Sequence, residues 1–302
     1  MIKIHEVGLR DGLQNEALSV DTDTKIDWAN TLLESGVEIL QLGSFVHPEK
    51  VPQMADTDLL FKSTKIKKKE NQILSGLILN EKGLERALEC GVELVCMGVS
   101  ASDTHSQKNT RMTTSDATSR IIAIAKKARF AGKKVQVSVQ SAFGCGFEGK
   151  IDYKNVLKII RKYLENDLYN ISLADTAGHA HPYQVKFLIE KIMMMDDSIE
   201  LTAHFHNTYG LALANCYAAI DSGVGNFETA FGGLGGCPFT KVAAGNVATE
   251  DFVHSLNRIG MKKEIDINPI LQVSAQAAEY FGKKLEGYVD KAGKIDYETE
   301  IL

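Results

Sequence analysis

Apolar and polar positions alternate in short runs along this chain, and each run gives way to a stretch with helical spacing. A period of two marks a half-buried strand, and a period near 3.6 marks an amphipathic helix. The runs "IKIHEV" (2–7), "VEILQL" (37–42), "QILSGLIL" (72–79) and "VELVCMGV" (92–99) predict four strands. Four more are predicted by "KVQVSVQ" (134–140), "LYNISLA" (168–174), "IELTAHF" (199–205) and "VGNFETA" (224–230). Helical patterns follow them, as in "SDATSRIIAIAKKARFAG" (115–132) and "YKNVLKIIRKYLEND" (153–167). Glycine stands between helix and strand in "ESGVEIL", "ECGVELV" and "DSGVGNF". A glycine there can take the left-handed conformation that stops a helix.

Eight strand–helix units in series, over about 250 residues, predict an α/β fold of the (β/α)8 TIM-barrel type. A doubly wound open sheet would also use such units, but the GxGxxG turn it would carry after the first strand is missing. The barrel is expected to occupy residues 1–260. Residues 261–302 read as a C-terminal helical extension packed on its outside, with "NPILQVSAQAAEYFGKKL" as its helix.

Composition narrows the class without defining it. The 44% hydrophobic and 24% charged residues are those of a soluble globular protein. A formal net charge of −5 argues against a nucleic-acid or anionic-membrane partner. The basic run "KSTKIKKKE" (62–70) reads as a solvated helix end, and "KIMMMDD" (191–197) as the core face of a helix. Cysteines at 90, 96, 145, 216 and 237 are odd in number and form no CxxC pair. They predict reduced thiols in a cytoplasmic protein. No signal peptide is visible, and no apolar run approaches the roughly 20 residues of a membrane span.

In a barrel, chemistry sits where strands end, at the C-terminal face. The first strand ends in "EVGLRD", placing Arg10 and Asp11 there; the sixth ends in "ISLADTAG", placing Asp175. The seventh runs into "TAHFHNTYG", whose His204 and His206 point to one face. Two imidazoles with a carboxylate from a neighbouring strand make half of a metal site, although HxH pairs also occur for structural reasons alone. After the eighth strand, "FGGLGGCPFTKVAAGNVATED" packs four glycines into five residues. Such a loop can cradle a phosphate, or it can be a lid carrying Cys237 over the mouth. Judged alone, Cys237 is equally a small buried hydrophobe, and Asn246 an ordinary helix N-cap.

The segments "RDGLQNE" (10–16), "HFHNTYGLALAN" (204–215) and "GGLGGCPF…GNVATED" (232–251) closely resemble the 3-hydroxy-3-methylglutaryl-CoA lyase family. "SFVHPEKVPQM" (44–54), "GCGFEGK" (144–150) and "ISLADTAG" (171–178) look like further blocks of it, so the likeness runs from about residue 2 to about 285. The resemblance implies a TIM barrel and a retro-Claisen cleavage of an acyl-CoA substrate to acetyl-CoA and acetoacetate. It implies Mg²⁺ or Mn²⁺ held by Asp11, His204, His206 and Asn246. Arg10 would stabilise the enolate and Cys237 would act as acid, with Asp175 and His204 completing the catalytic set. Gln14, Gln41, Ser44, Asn109 and Ser138 would line the substrate, and Glu250 would support the loop. A homodimer is the expected assembly.

The chain departs from the family pattern around the acyl group. Gln41 stands where the family usually has Glu, and Ser138 where well-studied lyases have Tyr. "GLRD", "HNTYG" and Ala17 replace the usual GPRD, HDTYG and Lys. These changes predict a wider pocket, able to take a longer 3-hydroxy-3-alkylglutaryl-CoA or a non-CoA substrate. Two rival readings are a condensing enzyme on the same fold and a catalytically silent barrel.

Overall fold

The strand register closes a circle. In a computed structural model, which describes residues 2–236 and 245–295, eight strands follow one another in chain order. They are β1 (Lys3–Glu6), β2 (Ile39–Ser44), β3 (Ile73–Leu77), β4 (Leu94–Ser100), β5 (Lys134–Gln140), β6 (Asn170–Asp175), β7 (Glu200–Phe205) and β8 (Asn226–Thr229). Each pairs in parallel with the next, and β8 pairs back with β1, Glu228 lying opposite His5. The expected (β/α)8 barrel is what the chain builds.

Only β5 has the boundaries its alternation predicts. Val37, Val92, Leu168 and Val224, read as strand starts, are buried in the turns before β2, β4, β6 and β8. Their apolarity reflects burial under the helices and not ladder pairing. At the other end β2, β4 and β6 run on to Ser44, Ser100 and Asp175, polar positions that an apolar pattern cannot register.

The helices form the outer layer. They are α1 (Thr22–Glu34), α2 (Thr57–Lys62), α3 (Glu81–Glu89), α4 (Asp103–Thr110), α5 (Thr114–Phe130) and α6 (Tyr153–Leu164). After these come α7 (Pro182–Met193), α8 (Ala212–Asp221), α9 (Thr249–Arg258), α10 (Ile267–Phe281) and the single turn α11 (Val289–Ala292). Asp21, Asn80, Ser102, Thr113 and Asp152 cap α1, α3, α4, α5 and α6 by accepting a backbone N–H of the first turn. Gly36, Gly91 and Gly223 take positive φ just past α1, α3 and α8, as the glycine pattern predicts. The methionine run is split: Met193, the last residue of α7, and Met195 pack half-buried against the core, whereas Met194 is 78% exposed. The basic run begins at the last residue of α2 and continues as a connection, with Lys65 paired to Asp23 in solvent. None of the described helices is long and apolar enough to cross a membrane.

The C-terminal residues pack where the helix was expected. Ile267, Ile270, Val273 and Ala277 of α10 are buried, and Tyr280 stacks edge-on to Trp28 of α1. Beyond α10, the amide of Glu286 donates to the carbonyl of Gly232, which ties this segment to the connection after β8.

Barrel interiors of this type are usually filled by branched apolar side chains. Here the middle is polar. His5 is hydrogen-bonded to Ser75 (2.7 Å), and Gln136 donates to Thr202 and accepts from Cys96. A cavity of about 590 Å³ opens at the N-terminal mouth among Lys3, Lys134, Glu200 and Asn226. The candidate chemistry lies at the opposite mouth.

Candidate active site

β1 ends in a single π-helical turn, Gly8–Gly12, in which the carbonyl of Val7 accepts from the amides of Arg10 (3.0 Å) and Asp11 (2.7 Å). Such turns recur at functional sites because they re-aim side chains. Gly8 is required here, since a Cβ would lie 2.4 Å from the ring of Phe231. Glu6 fastens the turn to the connection after β8, accepting from the amides of Gly8 (2.6 Å) and Phe231 (3.2 Å) and from the hydroxyl of Thr249. Burial pushes this carboxyl up to about 7. The sequence reading missed Glu6.

The turn delivers Asp11 to His204 of β7 and to His206, the residue just past its end. Asp11 Oδ2 is 3.9 Å from His204 Nε2 and 3.8 Å from His206 Nε2, and the two Nε2 atoms are 3.0 Å apart. All three residues are buried, and their donor atoms lie within 4.8 Å of one another. Asn246 joins them from 235 residues away, donating to Asp11 Oδ2 at 2.8 Å. It is not an N-cap, because α9 begins at Thr249 after Ala248. Its buried Oδ1 has no hydrogen-bond partner. An orphaned acceptor beside a carboxylate and two converging imidazoles fits a divalent metal.

The charges of Asp11 and His206 agree with that fit. Burial alone would raise the Asp11 carboxyl, yet Arg10, His204 and His206 hold it well below the usual range. Burial and the neighbouring His204 push His206 down to about 4, so it stands neutral with a lone pair to offer. Burial works against charge on His204 too, but there Glu228 prevails and the imidazole is raised.

Arg10 lies across the same mouth. Its Nε donates to Gln41 and its Nη1 to Asp11, while Gln14 donates to Asp11 at 2.9 Å. A cavity of about 300 Å³ opens onto Arg10, Asp11, Gln14, His204 and His206. Ser44, Asn109 and Ser138 are part of its lining, whereas Gln41 is bonded to Arg10 and is outside the lining. Val46, Val51, Met54, Leu77 and Leu79 give it an apolar wall; His105, Gln140 and Thr176 add polar groups that strand-end reading did not find.

Asp175 is placed differently from expectation. It is fully buried, its oxygens accept from the amides of His179 (2.8 Å) and Ala180 (3.1 Å), and it does not line the cavity. Burial pushes it up to about 7. Glu250 accepts from the amide of Gly232 (3.0 Å) and from Ser274, at the start of the glycine-rich connection, and burial raises it to about 8. Cys237 lies outside the described residues. A residue the reading missed altogether is Glu228 on β8, which accepts from His204 Nδ1 at 2.8 Å. Its signal was a lone carboxylate in the strand pattern "VGNFETA".

The chain is thus a closed (β/α)8 barrel whose C-terminal mouth carries a buried Asp–His–His set that could hold a metal ion. The chain belongs to the HMGL-like family, whose description fits residues 1–276. It is 34% identical over 284 residues to the hydroxymethylglutaryl-CoA lyase of Bacillus subtilis, 94% of each chain being covered. Identity is also 34%, over 282 residues and 93% of each chain, with a 3-hydroxy-3-isohexenylglutaryl-CoA/hydroxymethylglutaryl-CoA lyase of Pseudomonas aeruginosa. The structure of an HMG-CoA lyase from Acinetobacter baumannii, in complex with coenzyme A and 3-methylmalate, matches with a TM-score of 0.92. That match has 37% identity and covers 100% of this chain and 98% of the other. The resemblance carried by "RDGLQNE", "HFHNTYG" and the glycine-rich loop is borne out.

Proposed function

We propose that this chain is a divalent-metal-dependent carbon–carbon lyase acting on 3-hydroxy-3-methylglutaryl-CoA or a 3-alkyl relative. The products are acetyl-CoA and a 3-oxo acid, acetoacetate for the methyl substrate. The observation that carries this reading is the convergence of Asp11, His204, His206 and the orphaned Asn246 Oδ1 beside Arg10. A set of oxygen and imidazole donors suits Mg²⁺ or Mn²⁺. Such an ion, when bound, supplies Lewis acidity toward the substrate hydroxyl.

The protein's own groups do the rest. Arg10 has its Nε and Nη1 anchored, so its guanidinium is a fixed positive charge at the cavity wall. It opposes the negative charge that develops on the thioester oxygen as the carbon–carbon bond breaks. The hydroxyl gives its proton to solvent water in the cavity mouth and becomes the ketone of the 3-oxo acid, the bond's electron pair passes into the thioester enolate, and a proton from that solvent later restores the Cys237 thiol. Cys237 then gives a proton to the enolate carbon, forming the methyl group of acetyl-CoA. Ser44, Asn109 and Ser138 line the acyl group, and the apolar wall around Leu77 and Leu79 supports an alkyl branch. Asp175, with both oxygens committed to backbone, holds the loop that carries Thr176 to the cavity and does not touch substrate.

The test is a substrate panel. Wild type with Mg²⁺ or Mn²⁺ and 3-hydroxy-3-methylglutaryl-CoA is expected to release acetoacetate, and Cys237→Ala is expected to abolish release nearly completely. Turnover of a bulkier 3-alkyl thioester alone would move the substrate and keep the reaction. No turnover of any acyl-CoA would overturn the reading.

A further inference from the structure

His204 is held from behind. Glu228 faces it across the β7–β8 ladder, where His204 and Glu228 are register partners, and its carboxylate accepts the Nδ1–H at 2.8 Å. The other oxygen of Glu228 lies 3.7 Å from Nδ1 of His5, its register partner on β1, and the far nitrogen of His5 is bonded to Ser75. A line of polar groups therefore runs from β3 through β1 and β8 to the histidine at the mouth. Glu228 is 7% exposed and sits where barrels of this type place branched apolar side chains. A carboxylate there is costly unless paired, and the group it pairs with most closely is His204. His206 has no such support: its Nδ1 has no hydrogen-bond partner.

We infer that Glu228 is the positioning residue for His204, fixing the tautomer and the ring plane so that the Nε2 lone pair points at Asp11 and His206. A carboxylate on the far nitrogen of a ligating imidazole both orients it and strengthens it as a donor. The two histidines are therefore unequal: His204 is held from behind through Nδ1, whereas His206 has a hydrogen-bond partner only at Nε2, which is His204 itself. This inference rests on reading Asp11, His204 and His206 as metal ligands.

The experiment titrates metal-free, full-length protein with Mn²⁺ alone and counts free Mn²⁺ by electron paramagnetic resonance. Glu228→Ala is expected to bind about 10- to 100-fold more weakly than wild type. Glu228→Gln, which keeps an acceptor oxygen but no charge, is expected to fall between the two. Melting of each metal-free protein separates positioning from a merely structural role, which would lower the melting temperature and leave the affinity of the folded protein unchanged. Folded Glu228→Ala binding within about twofold of wild type overturns the role of Glu228 and leaves the metal reading standing. Should that variant not fold, Glu228→Gln decides: about tenfold weaker binding supports the inference, and unchanged binding overturns it. Wild type that binds no Mn²⁺ overturns both.

Discussion

Gln41 of β2 accepts a hydrogen bond from Nε of Arg10 on the turn after β1, so a neutral amide is the partner of a buried guanidinium. Among the described residues only Asp11 forms an ion pair with Arg10, and Asp11 is also the carboxylate of the candidate metal set. Gln41→Met keeps the length of the side chain and removes the acceptor. A hydrogen bond to a charged group contributes about 1.5–3 kcal/mol. The variant is therefore expected to lose about 10- to 100-fold in kcat/KM as the guanidinium loosens. Steady-state kinetics that stay within about twofold of wild type would show that Arg10 does not depend on Gln41.

Metal removal gives a second expected outcome, read without substrate. Binding that favours the folded state stabilises it by about 2.7 kcal/mol when the free ion is at a hundred times its dissociation constant. Addition of Mn²⁺ is expected to raise the melting temperature of chelator-treated wild type, and to leave that of Asp11→Ala unchanged. Equal shifts in both proteins would mean that the ion binds elsewhere.

How much of this was legible in the sequence follows from which forces leave a local trace. Period-two runs and glycine stops gave eight strands in order because burial and backbone freedom act on neighbouring residues. His204 and His206 were legible because the extended chain keeps residues two apart on one face to the end of β7 and one residue beyond, and Arg10 and Asp11 because they follow a strand closely. Asn246 and Glu228 left weaker traces, since what they do depends on partners far away along the chain: Asp11 for Asn246 and His204 for Glu228. Without its partner Asn246 resembles a helix cap. Asp175 shows a different limit of local pattern. It ends a strand at the correct mouth, yet its carboxylate turns into its own loop, a choice fixed by the amides of His179 and Ala180. Gln41 was found by resemblance to the family and not by any pattern of its own.

Stability should depend on pH in a direction set by three buried carboxyls. Burial raises Glu6 to about 7, Asp175 to about 7 and Glu250 to about 8, all above ordinary carboxylate values. A folded-state value above the unfolded one means that the fold holds the proton more tightly than the open chain does. The contribution is complete below about 4 and is lost as pH rises through 7 and 8. The melting temperature of metal-free protein is expected to fall between pH 6 and pH 9. Glu250→Gln, neutral at every pH, is expected to reduce that fall; calorimetry that finds the same slope in both proteins would remove Glu250 from the account.

Ser138 and Gly98 are register partners on β5 and β4, and a Cβ on Gly98 would lie 1.9 Å from the hydroxyl of Ser138. Gly98 thus makes space for the Ser138 side chain, which lines the cavity together with Gln140, Leu77 and Leu79. Ser138→Tyr places a ring in a cavity of about 300 Å³ and takes space that an alkyl branch would fill. With a 3-alkyl substrate longer than methyl, KM is expected to rise about 5- to 150-fold, because crowding a packed pocket typically costs about 1–3 kcal/mol. With the methyl substrate the change is expected to be smaller, since the branch does not reach the ring. The ratio of kcat/KM values for the two substrates is the measurement. A ratio unchanged by Ser138→Tyr would mean that the branch lies elsewhere in the mouth and that the small side chain at this position does not set substrate size.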